Sequence, residues 1–190
     1  MFVPGIKLAL CGGMRSGKDT VAEQLVFEQG FTRFAFGDEL KRYAHDLFGD
    51  TGAKQRELYQ WFGQTMRERD PNIWVRKCFE GIAIKEHCAR QPFRPVITDL
   101  RQPNEYDALR REGFAIVRVH APVEVRQKRA EAAGDIFRPE DMLHDTESHY
   151  NGFDVDYVIV NDGDLSQLED EVRKMLAYIV SQGGAVDGSR

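Results

Sequence analysis

Gly12-Gly13-Met14-Arg15-Ser16-Gly17-Lys18 fits the spacing Gly-x-x-x-x-Gly-Lys. That spacing suits a chain of phosphates. Glycines let successive backbone N–H groups turn inward, a following helix N-terminus adds partial positive charge, and the lysine reaches the β- and γ-phosphates. Gly12, Gly13, Arg15, Ser16, Gly17 and Lys18 are therefore candidate ATP-binding residues. The next position normally holds a Ser or Thr whose hydroxyl binds magnesium. Here it is Asp19, followed by Thr20. A carboxylate there can hold Mg²⁺ directly or through water. Alternatively Thr20 takes that part, or Asp19 merely caps the helix.

A phosphate loop alone suits an ATPase, a GTPase or a small-molecule kinase. No Asn-Lys-x-Asp occurs, which counts against a GTPase, and 190 residues is short for a mechanical ATPase. A kinase needs a second anion site and movable positive charge, because phosphoryl transfer is mostly positioning and charge neutralisation. Asp99 and Arg101 close a short apolar run at Arg94–Asp99. Asp99 could orient magnesium or the acceptor, and Arg101 could clamp a phosphate in bidentate fashion. The plainer alternative is a helix-capping Asp beside a surface Arg. Lys41 lies where an acceptor phosphate could sit, or is an ordinary solvated lysine. Arg56, followed by Tyr59, Trp61 and Phe62, and Trp74 beyond them, would suit a nucleobase, or the aromatics are core. Arg126 and Arg129 share a helix face at i, i+3 and could neutralise the transferring group, or form a solvated face.

These residues need an ordered frame. Lys7–Cys11, Phe31–Phe36, Arg94–Asp99, Phe114–His120 and Val155–Val160 read as strands. Helical spacing follows each strand: from Lys18, from Asp38 (a candidate cap), over about 54–67 and 72–89, from Pro103, from Pro122, and over Asp164–Val180. Strands alternating with helices predict a parallel sheet covered on both faces. In such a sheet, ligands bind at the carboxyl ends of the strands, where the loop, Asp99 and Arg101 would meet. The polar stretch 134–151 is long for a loop and reads as a lid.

Composition limits the alternatives. Hydrophobic residues make up 42% and charged residues 30%, so a packed core is expected rather than disorder. The net charge of -5 gives no basic excess for nucleic acid. Three scattered cysteines make no disulfide framework, and no His-x-x-x-His suggests zinc. No apolar run approaches the ~20 residues of a membrane span. A reducing, cytoplasmic setting is expected, with residues 1–183 as one domain, a lid at about 126–150 and a disordered tail at 184–190. Oligomeric state is not legible, and a homodimer stays open.

Ser16-Gly17-Lys18-Asp19-Thr20, Thr98-Asp99-Leu100-Arg101-Gln102, His144-Asp145-Thr146-Glu147 and Val160-Asn161-Asp162-Gly163 resemble the deoxynucleoside monophosphate kinase of T-even phages and its relatives. The resemblance covers roughly residues 7 to 180. It implies a three-layer α/β/α P-loop kinase fold with a five-stranded parallel sheet and a mobile lid. It also implies transfer of the ATP γ-phosphate to a deoxynucleoside monophosphate, with Mg²⁺. Arg15 to Thr20 would be the ATP loop, and Lys41, Arg56, Gly63, Gln64, Trp74, Asp99 and Arg101 would hold the acceptor. Asp99 and Arg101 would act in catalysis with Lys18 and Arg129, and Arg126 would help hold ATP. Animal phosphomevalonate kinase is also similar at Ser-Gly-Lys-Asp, Asp-x-Arg and the lid. Another phosphomonoester acceptor, such as phosphomevalonate or dephospho-coenzyme A, is therefore an alternative. A regulatory module that binds nucleotide without catalysis is another.

Overall fold

The computed structural model describes residues 5–49, 55–89, 92–134 and 149–183. Five strands run in chain order as β1 (Leu8–Cys11), β2 (Thr32–Phe34), β3 (Pro95–Ile97), β4 (Ala115–His120) and β5 (Tyr157–Val160). They form one parallel sheet in the order β2-β3-β1-β4-β5. In the centre, Leu8 pairs with Val96 on one side and Ala115 on the other. Seven α-helices are described, α1 (Lys18–Gln29), α2 (Phe36–Phe48), α3 (Arg56–Arg69), α4 (Ile73–Cys88), α5 (Pro103–Arg111), α6 (Val123–Ala132) and α7 (Leu165–Gly183), with one short 3-10 turn at Tyr150–Gly152.

Strands buried on both faces read as continuous apolar runs, and KLALC is such a run. One face carries Leu8, Leu10, Val96, Val117, Val119 and Ile159 against α1 and α7. The other carries Ala9, Cys11, Ile97 and Ile116 against α2, α4 and α5. This is the three-layer α/β/α P-loop kinase arrangement that the resemblance implied. No described helix is long and apolar enough to cross a membrane.

Element edges move where tertiary partners outrank local signals. Helix α2 begins at Phe36, two residues before Asp38, the expected cap. Its N-cap Ala35 offers no side-chain bond. The Asp99 carboxylate supplies the missing acceptors instead, taking N–H bonds from Phe36 at 2.8 Å and Gly37 at 2.9 Å. Helix α7 runs on to Gly183, past the expected end at Val180. The tail at 184–190 and most of the lid stretch, residues 135–148, lie outside the described residues.

Candidate active site

The carboxyl end of β1 passes into a loop whose backbone is bent by three positive φ angles: Gly12 at 144°, Arg15 at 59° and Gly17 at 96°. Arg15 is the one non-glycine residue with positive φ among those described. At Gly12 a Cβ would strike the Val119 carbonyl, so the first glycine lets the loop press onto β4. Helix α1 starts at Lys18, and no side chain caps it. Its first N–H groups are thus left for an anion, on the positive end of the helix dipole. The Lys18 ammonium donates to the carbonyls of Gly12 and Gly13, each at 2.7 Å, and so lies folded over the loop. Ser16 is 1% exposed, and its Oγ has no hydrogen-bond partner among the described residues. A buried hydroxyl without a partner is costly, so its presence inside this cradle fits a ligand with acceptor oxygens.

Above the loop opens a cavity of about 920 Å³. Arg15, Ser16, Gly17, Lys18, Asp19 and Thr20 line one end. Arg33, Gly37, Asp38, Lys41, Arg67, Asp99, Arg101 and Glu105 line the other. Arg129, Asn161 and the turn from Gly163 to Leu165 complete the wall. The volume is near the upper range of single small-ligand pockets, and the two ends give room for a donor and an acceptor. Asp19 and Thr20 offer oxygens at the start of α1, a donor set that suits a Mg²⁺ brought in with nucleotide phosphates. Among the described residues no cluster of three His, Cys, Asp or Glu side chains could hold a metal alone.

Two carboxyls shape the far end, Asp99 half-buried and Glu105 buried. Burial pushes the Asp99 carboxyl above the ordinary range, against the pull of its two backbone donors and Arg101. Glu105, 4% exposed, is pushed up to about 7, chiefly by burial and also by Asp99. One Glu105 oxygen accepts the N–H groups of both Arg101 and Gln102 at 2.9 Å. Helix α5 thus starts with a reciprocal capping box between Gln102 and Glu105. The box fixes the backbone that carries Arg101.

A family model described as AAA domain matches residues 8–152, most of the chain and all of the loop-bearing core. The chain belongs to the AAA domain family. A relative from Acanthamoeba polyphaga mimivirus is 27% identical over 144 residues, covering 62% of this chain and 75% of that protein. That protein carries the provisional name deoxynucleotide monophosphate kinase. A gluconokinase from Sinorhizobium meliloti 1021 superposes with a TM-score of 0.60 at 20% identity, over 98% of this chain and 99% of that one. Shikimate kinase from Acinetobacter baumannii, in complex with shikimate, gives 0.54 at 21%, over 95% and 96%. These likenesses are of fold, and the fold is that of small-molecule P-loop kinases.

In this AAA-domain protein the loop residues Arg15 to Thr20, with Lys41, Asp99, Arg101 and Arg129, come together around one cavity, whose lining does not include Gly12 and Gly13. Three expected acceptor residues do not join them. Trp74 is 3% exposed, packs against Phe62 and Tyr43, and donates its indole N–H to the Gly63 carbonyl at 3.2 Å. It is a core residue. At Gly63 a Cβ would collide with Leu40, so this glycine permits close packing of α3 on α2 rather than ligand contact. Gln64 is exposed outside the cavity lining. The side chain of Arg56 lies outside the described residues. Arg126 lies against Gly13 and reaches the Met14 carbonyl at 3.5 Å, in contact with the loop but not among the residues that line the cavity. Asp99 departs most, because both its oxygens hold α2.

Sequence reasoning passed over Arg67, Arg33, Asp38, Glu105 and the part played by Asn161. Arg67 stands four residues after Gly63, on the same face of α3, so the helical period pointed to it. Glu105 occupies the third position of a helix opened by Pro103, a capping-box signature. Asn161 sits just past the last strand, at the ligand edge of the sheet.

Proposed function

We propose that this protein transfers the γ-phosphate of ATP to a deoxynucleoside monophosphate, giving the diphosphate, with Mg²⁺. One observation carries the reading: the phosphate loop and a second cationic cluster of Lys41, Arg67 and Arg101 line the same cavity. A pure nucleotide-binding module has no use for the second cluster. The provisional name of the mimivirus relative and the residues that resemble the T-even phage enzyme favour a nucleotide acceptor over other phosphomonoesters.

In this reading Lys18 swings from the Gly12 and Gly13 carbonyls onto the β/γ oxygens. The loop N–H groups and the Ser16 hydroxyl complete the cradle. Asp19 or Thr20, along with the phosphates, would hold Mg²⁺, which would supply charge neutralisation. Arg101 and Arg67 hold the acceptor phosphate, and Lys41 adds charge at the rim. Arg129 covers the transferring group. Asp99 acts through position: it fixes the start of α2, whose first turns carry Asp38 and Lys41. No covalent enzyme intermediate is required.

The test is a coupled ADP-release assay over a panel of acceptors: deoxy- and ribonucleoside monophosphates, phosphomevalonate, dephospho-coenzyme A, gluconate and shikimate. Stimulation by deoxynucleoside monophosphates is expected. Activity confined to a non-nucleotide acceptor would refute the acceptor assignment, and ATP binding with no stimulation by any acceptor would refute catalysis.

A further inference from the structure

We infer that Asn161 is a positioning residue that aims Arg129 at the nucleotide phosphates and holds the curve of the loop beneath them. The inference rests on the proposed binding of ATP at this loop. Asn161 directly follows β5, and its own N–H donates to the His120 carbonyl at 2.7 Å, so the sheet fixes its backbone. Asn161 is 5% exposed. The amide nitrogen donates to the Ser16 carbonyl at 2.8 Å. The amide oxygen accepts from Arg129 Nη2 at 3.1 Å. A side-chain amide is suited to this bridge because it is a donor at one end and an acceptor at the other. Aspartate could serve Arg129 but not the Ser16 carbonyl.

Two further observations give the bridge a purpose. A Cβ at Gly17 would collide with the Asn161 amide, so the last glycine of the loop makes room for this contact as well as for its positive φ. Arg129 Nη1 is buried and has no hydrogen-bond partner among the described residues, yet Arg129 lines the same cavity as Lys18, with Nη1 about 4.0 Å from where a Gly17 Cβ would stand. With Nη2 tied to Asn161, the guanidinium plane cannot turn away freely. A buried cationic donor left in this state is matched by an anion, and the loop beneath is built for phosphates. Asn161 thereby links the last strand, the phosphate loop and α6 through one side chain.

The experiment measures the effect of Arg129→Ala on ATP–Mg²⁺ affinity, by calorimetry, in three backgrounds: wild type, Asn161→Asp and Asn161→Ala. In wild type a loss of about tenfold is expected for removal of one charged phosphate contact. The Asp background keeps the acceptor for Arg129, so the same loss within about twofold is expected. In the Ala background Arg129 is no longer aimed, and the further loss falls below about threefold. Asn161→Ser, too short to reach Arg129, replaces the Ala variant if the latter does not fold. An equal loss in every background would mean that Asn161 only braces the fold, and would overturn the inference. Failure of the wild-type protein to bind ATP would instead overturn the proposed function together with it.

Discussion

Lys18 bridges two loop carbonyls at 2.7 Å, a posture that keeps its charge over the bend. The account makes this ammonium a transition-state donor. Lys18→Ala should lower turnover by on the order of a hundredfold or more, with the fold intact by circular dichroism. Turnover near wild type would contradict the loop assignment. Glu105 gives a prediction of another kind. Its carboxyl ionises near 4.5 when free and about 7 when buried in the folded chain. The folded state therefore holds an extra proton across that window, and the stability it confers is lost as pH rises through 7. Glu105→Gln keeps an oxygen for the Arg101 and Gln102 N–H groups but cannot ionise. Denaturant titrations of both forms from pH 4.5 to 8 should show wild type losing on the order of 3 kcal/mol relative to the variant. A constant difference would contradict the raised ionisation.

At the scale of elements, the site depends on helix starts more than on helix bodies. Helix α1 begins uncapped and waits for an anion, α2 begins on the Asp99 carboxylate, and α5 begins on Glu105. The sequence carried the first start plainly, because Gly-x-x-x-x-Gly-Lys is local. It carried the third as a capping pattern that went unread. The second was beyond local reading: Asp99 and Phe36 are 63 residues apart, and only the pairing of β2 with β3 brings them together. Trp74 was open to two readings because aromatic residues serve both cores and nucleobases, and its burial and its bond to Gly63 favour the core. Trp74→Phe should therefore lower stability by about 1 kcal/mol, through the lost bond to the Gly63 carbonyl, and leave the acceptor KM within about twofold. A tenfold rise in that KM with stability unchanged would restore Trp74 to the site.

At the scale of the whole molecule, strand periodicity was enough for the sheet, since each buried parallel strand is a short apolar run followed by a helix. The net charge of -5 concealed the cavity, where Arg15, Lys18, Lys41, Arg67, Arg101 and Arg129 converge from five separate segments. Arg67 and Asn161 show why part of that wall was hard to read. Arg67 carries no motif of its own, and Asn161 stands in a segment whose resemblance does not say what its side chain does; each gains meaning only from what the fold sets beside it. The central claim is that one cavity brings an ATP γ-phosphate to an acceptor phosphate. Phosphorus NMR of the protein with ATP, Mg²⁺ and a deoxynucleoside monophosphate tests it most directly, because it identifies the bond that forms. The account predicts ADP and the deoxynucleoside diphosphate appearing together in equal amounts. Inorganic phosphate as the sole new product beside ADP, with the monophosphate signal unchanged, would contradict it.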